Sequence, residues 1–482
     1  MDSFLAMLAL IGAVIVISAL LSGWVDRTGV PQVAVFLAMG ALIGPAGLGL
    51  LDARVDSPIL GVVATLSLVL VLFTDAVSLD MRELRQHRLL AGLVLGPGTI
   101  LTTILIAAAG WYLLGLSLPL AAILGAAIAS TDPVLLRGLL RRPALHNSVR
   151  QALRIESGLN DVVLLPVVLV AMEVLSRSEP LTGSEWGRLA INMLLLSPGA
   201  GVIVGVLGVS ALEMVRKRAG VRRDYESIYS IGLAFAAYAA AESAHGSGFI
   251  AAFAAGLTVS AMDAELCDCF LEYGETTAEM ALLFAFVLFG TSIIWGGFSI
   301  ISGATILFTL AAIVLRPVAY FPALIPAELS TKNRALIAFF GPTGLSSLLL
   351  IMLAVFKGID GSAYLLQVCS LVVLVSVVVH GFSPMLLIRG PNDEPKAAPK
   401  AKLTLAVREV PDDRPRANTI TLDEFRQLKK SDSVVLVDSR SERTFAEGDP
   451  VPDSVRVHPE RAVADAARLE LPTAATLVVF CA

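Results

Sequence analysis

An all-α polytopic membrane protein, followed by the start of a soluble α/β module, is the fold class this sequence predicts, and three observations carry that reading. Of its 482 residues, 56% are hydrophobic and only 16% charged, with a mean hydropathy of +0.78, values far from those of soluble globular chains. Apolar windows of about twenty residues recur roughly thirteen times before residue 390, each long enough to cross a bilayer as a helix. After Arg389 the composition turns abruptly to Gly390-Pro391-Asn392-Asp393-Glu394-Pro395 and then to a Lys, Ala and Pro-rich tract. The net charge of −5 favours neither nucleic acid nor an anionic lipid surface as a main partner.

In order, the spans fall near 4–24, 30–50, 58–77, 89–114, 118–139, 155–175, 188–215, 226–244, 247–262, 278–296, 299–325, 334–356 and 363–388. The first has no basic leader, and Trp24 and Asp26 stand where a small-residue cleavage site would be, so it reads as a retained helix. Basic residues cluster in alternate loops, with Arg82, Arg85 and Arg88, then Arg137 to Arg154, then Arg216 to Arg223, then Lys332 and Arg334 on one side. Arg54, Arg177, Arg188 and Lys357 are nearly all that falls on the other. The expectation is a cell-membrane protein with its N-terminus outside and its C-terminus in the cytoplasm. The acidic loop from Asp263 to Glu279 dissents, but acids count little in this rule. Cys267, Cys269, Cys369 and Cys481 form no extracellular pair in this topology and are expected as free thiols; Cys267-Asp268-Cys269 alone supplies too few ligands for a zinc site.

Three segments follow as domains: residues 1–390 in the membrane, a linker over 391–418, and an incomplete α/β module over 419–482. In the module, Thr421-Leu422-Asp423-Glu424-Phe425 reads as a capped helix start. Val434 to Asp438 and Leu477 to Phe480 read as buried strands.

Charged and polar residues inside the spans are expensive and mark function. In the sixth span, Glu156 and Asn160 stand four apart, as do Ser157 and Asp161, so two polar stripes share one side of the helix. A helix start capped in the headgroup region is the alternative for Glu156 and Ser157. In the fifth span, Ser130-Thr131-Asp132-Pro133 interrupts an apolar run, because Pro133 cannot donate to the carbonyl of Ala129 and clashes with it. The freed backbone groups must face protein or a cavity, which is how membrane carriers hold ions; a kink with Asp132 capping the second half-helix is the other reading. Gly341-Pro342-Thr343-Gly344 is a second break candidate in the twelfth span. The fifth and twelfth spans hold matching places in two six-helix halves, with the seventh as connector, which predicts an inverted repeat. Arg316 lies too deep in the eleventh span to reach the interface and needs an acid partner, for which Glu156 is the choice. Asp75, ending the third span, reads equally as an interfacial residue or as a carboxylate near the site.

Thr131-Asp132-Pro133 in a broken helix, then Glu156-Ser157 and Asn160-Asp161 on the next, resembles the monovalent cation/proton antiporters. Within them it is similar to the sodium/proton branch, which has an Asn-Asp pair where the electrogenic branch has two aspartates. The resemblance covers about residues 1–390, Val379-His380-Gly381 included. It implies a homodimer of thirteen-helix protomers, each with a dimerisation bundle, a six-helix transport core that moves against it, and two broken helices crossing in that core. It implies that Asp161 is the carboxylate shared by ion and proton. Ser157, Asp132 and the Thr131 carbonyl would complete the shell around a monovalent cation, with Asp75 as a contributor. Asn160 and Pro133 would support the site, and Glu156 with Arg316 would be a buried ion pair. No cofactor is implied beyond the transported ions. One departure concerns Thr343, which stands where this branch often carries an arginine, so how the later break is held is open.

The tail resembles the front half of a rhodanese-like domain, through Ile420 to Phe425, Val435 to Arg440, and Val478-Val479-Phe480-Cys481. Cys481 falls where that family carries its sulfur-transferring cysteine, and Asp449 departs from the His common after Gly448. The chain ends one residue after Cys481, so the expectation is a truncated module or, second, a vestigial one.

The chemistry of the membrane site follows from competition. A desolvated carboxylate seeks neutralisation by a proton or a cation, and one group serves both. Oxygen-only donors suit a hard monovalent ion. With Asn160 neutral, a single titrating acid predicts electroneutral one-for-one exchange of Na+, and with it Li+, for H+; K+/H+ exchange is the alternative. A membrane-anchored sulfurtransferase would explain the tail alone. An intramembrane aspartyl protease would use Asp132 and Asp161, but the sequence holds no Gly-x-Gly-Asp stretch.

Overall fold

The computed structural model describes residues 32–45, 47–49, 58–79, 87–140, 145–177, 179–219, 221, 223–262, 283–387, 434–439, 454–457 and 476–480, with single positions at 12, 16, 20 and 84. Two compact units divide the chain, residues 1–394 and 395–482. The described residues of the first unit are mainly helical: α1 Gln32–Ile43, α2 Pro58–Ser78, α3 Arg88–Leu114, α4 Leu118–Ala129, α5 Pro133–Leu140, α6 Asn147–Leu175 and α7 Gly183–Ala219. There follow α8 Arg223–Ser243, α9 Gly248–Met262, α10 Leu283–Ile300, α11 Gly303–Ala323, α12 Thr331–Phe339, α13 Leu345–Phe356 and α14 Ser362–Leu387. Among the described residues, eight helical stretches are long and apolar enough to cross a membrane, with three shorter apolar helices beside them. Each expected span from the second to the thirteenth contains a helix. The first span lies outside the described residues apart from single helical positions, as do the Asp263 to Glu279 loop with its two cysteines, the 391–418 linker and Cys481.

Local chemistry sets the helix ends. Gly115 takes φ 66°, the left-handed conformation that stops α3. Ser302 caps α11 by accepting from the Thr305 N–H, and Ser330 caps α12 by accepting from that of Asn333. Pro97 widens α3 into a π turn over Val94–Gly98. The Thr99 hydroxyl takes up the Val94 carbonyl there, at 3.0 Å.

The fifth and twelfth spans are each split. The α4/α5 pair is separated by Ser130, Thr131 and Asp132, and the α12/α13 pair by residues 340–344. α4 packs against α3, α6, α13 and α14, so the first interruption is walled by helices from both halves of the sequence. A large apolar core runs from α1 to α14, and a smaller one gathers Leu136, Leu139, Val149, Leu153, Ile337 and Phe340 around α5 and the ends of α6 and α12.

The second unit contains a three-stranded parallel sheet in the order β2-β1-β3, with β1 Val434–Asp438, β2 Ser454–Arg456 and β3 Thr476–Phe480. Leu436 pairs with Ser454 on one side and with Val478 on the other. Asp438 is buried at the end of the central strand, with Arg456 Nη1 at 3.7 Å. β1 and β3 coincide with the expected strands to within a residue; β2 was not expected, being too short to show alternation.

Candidate functional site

Asp132 closes both interruptions. It is the N-cap of α5: its Oδ1 accepts from the Val134 N–H at 2.8 Å, and Pro133 takes the first helical position, where no N–H is needed. Its Oδ2 accepts from the Leu345 N–H at 2.7 Å, where α13 begins, 213 residues further along the chain. The N-cap of α13 is Gly344, which makes no side-chain cap of its own. A Cβ on Gly344 would lie 2.7 Å from Asp132 Cβ and Cγ, so only glycine admits this approach. Two half-helix N-termini thus face one carboxylate, a favourable placement for negative charge.

The two breaks also bind each other through backbone. The Asp132 N–H donates to the Pro342 carbonyl at 2.9 Å, and the Thr343 hydroxyl donates to the Ile128 carbonyl at 3.2 Å. The Ser347 hydroxyl donates to the Ser130 carbonyl at 3.4 Å. Groups that lipid leaves unsatisfied therefore find partners in the opposite break. Thr343 helps hold the later break by its own hydroxyl, which meets the departure noted in the sequence.

Across from this crossing, α6 presents Glu156, Ser157, Asn160 and Asp161, all buried. Asp161 Oδ1 accepts from the Ser130 hydroxyl at 2.6 Å. Glu156 Oε1 accepts from the Thr131 hydroxyl at 2.7 Å. Thr131 thereby commits its hydroxyl to Glu156 and keeps its carbonyl as the group it can offer an ion. The Ser157 hydroxyl turns back to the Arg154 carbonyl at 3.4 Å, a weak bond that a ligand can replace. Asn160 is fully buried, and its amide makes no hydrogen bond among the described residues.

Glu156 and Arg316 form a two-pronged contact, Nη1 to Oε1 at 2.6 Å and Nη2 to Oε2 at 2.9 Å. Arg316 also stacks over the Tyr320 ring, with Cζ 4.2 Å from its centroid. Its Nη2 lies 3.4 and 3.5 Å from the carbonyls of Ile337 and Phe340, where α12 ends. The Tyr320 hydroxyl in turn lies 2.9 Å from Thr99 Oγ1, whose own hydroxyl also reaches the Val94 carbonyl at 3.0 Å. Asp75 is half-buried near the end of α2, a helix that packs against α6. Among the described residues no cluster of three or more His, Cys, Asp or Glu is arranged to hold a metal of the thiophilic or multi-carboxylate kind.

The structure therefore gathers Thr131, Asp132, Pro133, Glu156, Ser157, Asn160, Asp161 and Arg316 around one crossing. Sequence reasoning gave no role to Ser130, Tyr320, Ser376 or His380. Ser130 had one available signal, its place in the same interrupted tetrapeptide; hydroxyls otherwise carry no charge that would mark them in an apolar span.

A mid-span crossing of two interrupted helices, with acids and an arginine buried beside it, defines a polytopic membrane protein built around an internal polar site. The chain belongs to the transmembrane sodium/hydrogen exchanger family, whose profile matches residues 15–388. It is 22% identical over 391 residues to the K(+)/H(+) antiporter NhaP of Alkalimonas amylolytica, covering 80% of this chain and 66% of that one. It is 27% identical over 301 residues to the Na(+)/H(+) antiporter NhaH of Halobacillus aidingensis, covering 59% of this chain and 72% of that one. Among solved structures it is similar to the sodium proton antiporter MjNhaP1 of Methanocaldococcus jannaschii, with a TM-score of 0.67 and 20% identity over 81% of this chain and 99% of that one. The chain spans just under two-thirds of the length of the Alkalimonas relative.

Proposed function

We propose that this chain exchanges a monovalent cation, Na+ first and Li+ with it, for H+ across the membrane, one for one and without net charge movement. One observation carries the reading. Among the described residues, Asp132 is held by two backbone N–H groups and Glu156 by the Arg316 guanidinium, whereas Asp161 has a single hydroxyl bond, from Ser130. Asp161 is the carboxylate left for a mobile charge, and proton and cation compete for it.

The cation's donors are Asp161, the Thr131 carbonyl, Ser157 and the outer face of Asp132, with Asp75 contributing from α2. The Asn160 amide beside Asp161, without a hydrogen-bond partner among the described residues, supplies a further neutral oxygen. Alternation of access follows from motion of the crossed-helix core against the remaining helices, in a homodimer whose N-termini lie outside the cell and whose C-termini lie in the cytoplasm. Residues 419–482 are taken as the front of a rhodanese-like module joined through the 391–418 linker. K+/H+ exchange is the second reading, favoured by the substrate of the Alkalimonas relative.

The test is a pH-gradient dye assay in proteoliposomes, with sodium, lithium and potassium chloride added in turn. Dequenching with sodium and lithium supports the first reading and dequenching with potassium alone the second. Silence with all three overturns both.

A further inference from the structure

Helix α14 carries a buried histidine that the proposed exchange reaction does not itself use. His380 Nε2 lies 3.1 Å from the Phe339 carbonyl, and Nδ1 lies 3.1 Å from Ser376 Oγ and 3.2 Å from the Ser376 carbonyl. Ser376 Oγ also accepts from the Thr343 N–H at 2.9 Å. Donor counting fixes the protons. A neutral ring has one hydrogen; Nε2 faces a carbonyl alone, whereas Nδ1 faces the Ser376 hydroxyl as well as the Ser376 carbonyl, so the hydrogen belongs on Nε2 and is donated to Phe339. Ser376 Oγ accepts from Thr343 and keeps its own proton to give, and the free lone pair of Nδ1 takes it. The chain Thr343 N–H to Ser376, Ser376 O–H to His380, and His380 N–H to Phe339 is complete with a neutral ring.

Phe339 and Thr343 bracket the interruption between α12 and α13, so α14 grips this break at both edges. The gripped stretch holds the other break, through Pro342 to the Asp132 N–H, Thr343 to Ile128 and Leu345 to Asp132. That other break carries Ser130, which bonds Asp161 at 2.6 Å. We infer that His380 and Ser376 are positioning residues for cation binding: together they clamp residues 339–343 and so set where Ser130 and the Thr131 carbonyl stand relative to Asp161. The inference rests on the exchange reading proposed above.

The test uses the full chain in proteoliposomes, titrating sodium or potassium at fixed pH. His380→Ala and Ser376→Ala should each raise the half-saturating cation concentration on the order of tenfold, the factor carried by one buried hydrogen bond. The double variant should be no worse than either single one, because one chain is broken once. His380→Gln, which keeps a donor toward Phe339, should restore part of the loss. A merely structural role would lower the thermal midpoint and leave the half-saturating concentration unmoved. Independently, the 15N spectrum of the wild-type ring should show the neutral form protonated at Nε2. Wild-type cation dependence in both alanine variants, effects that multiply in the double variant, or a ring protonated at Nδ1 would each overturn the clamp. Absence of any cation-driven flux in the wild type would instead remove the exchange reading, and the ring spectrum would still decide the clamp, as it would if the alanine variants failed to fold.

Discussion

Three buried acids within one crossing differ in what balances them, and that difference decides what each substitution does. Asp161→Asn keeps the volume and the Ser130 contact but removes the exchangeable charge. It should abolish cation-coupled proton flux in proteoliposomes while leaving the melting profile in detergent near that of the wild type; flux persisting in the variant would sink the assignment. Glu156→Ala acts differently, because it removes the carboxylate that balances the buried Arg316 guanidinium and leaves it beside the Ile337 and Phe340 carbonyls and the Tyr320 ring. A loss of about 3–5 kcal/mol of stability is expected, and Glu156→Ala combined with Arg316→Met should be less destabilised than Glu156→Ala alone. Thermal unfolding of the three variants checks this, and equal midpoints in all of them would refute the pairing. This pair was legible in the sequence because a cation at depth demands an acid. Ser130 was not, since a hydroxyl can satisfy itself on its own helix and leaves no trace in hydropathy.

Between elements, what matters is that one carboxylate ends two half-helices. Asp132→Asn turns one of the two acceptor oxygens into a donor facing an N–H, either that of Val134 or that of Leu345. The mismatch should cost about 1–3 kcal/mol, read as a lowered midpoint together with weakened cation binding. Gly344→Ala should reach a similar end by another route, because the added methyl displaces Asp132 from its place against α13 at about 1–3 kcal/mol. Wild-type stability in Gly344→Ala would show that the two breaks are not pressed together. The existence of both interruptions was readable from Pro133 and from Gly341-Pro342, because proline forbids the helical bond whatever surrounds it. Their mutual capping was not readable, since it joins residues 213 positions apart and depends on how two spans cross. The short strand Ser454–Arg456 escaped for a simpler reason: three residues show no period.

For the whole molecule, exchanging one proton for one monovalent cation at a single carboxylate moves no net charge. A charge crossing the bilayer would feel about 2.3 kcal/mol per 100 mV, enough to change rates many-fold. Sodium-driven proton flux should therefore keep the same initial rate whether the vesicle potential is clamped at zero or left free to develop during the run. A rate that rises when a permeant ion dissipates the potential would show a second charge in the cycle. The helical membrane class was legible from composition alone, because span length is set by bilayer thickness and not by neighbours. How the helices gather Glu156, Asp161 and Arg316 to one crossing is a matter of tertiary packing, which hydropathy does not encode.

Asp132 anchors the starts of α5 and α13 with its two oxygens, and that has a mechanical consequence. Neither interruption can shift without dragging the other, so the pair behaves as one rigid bearing. In the proposed exchange, a cation entering from either face would then be carried by displacement of that bearing as a block, not by loosening one helix at a time.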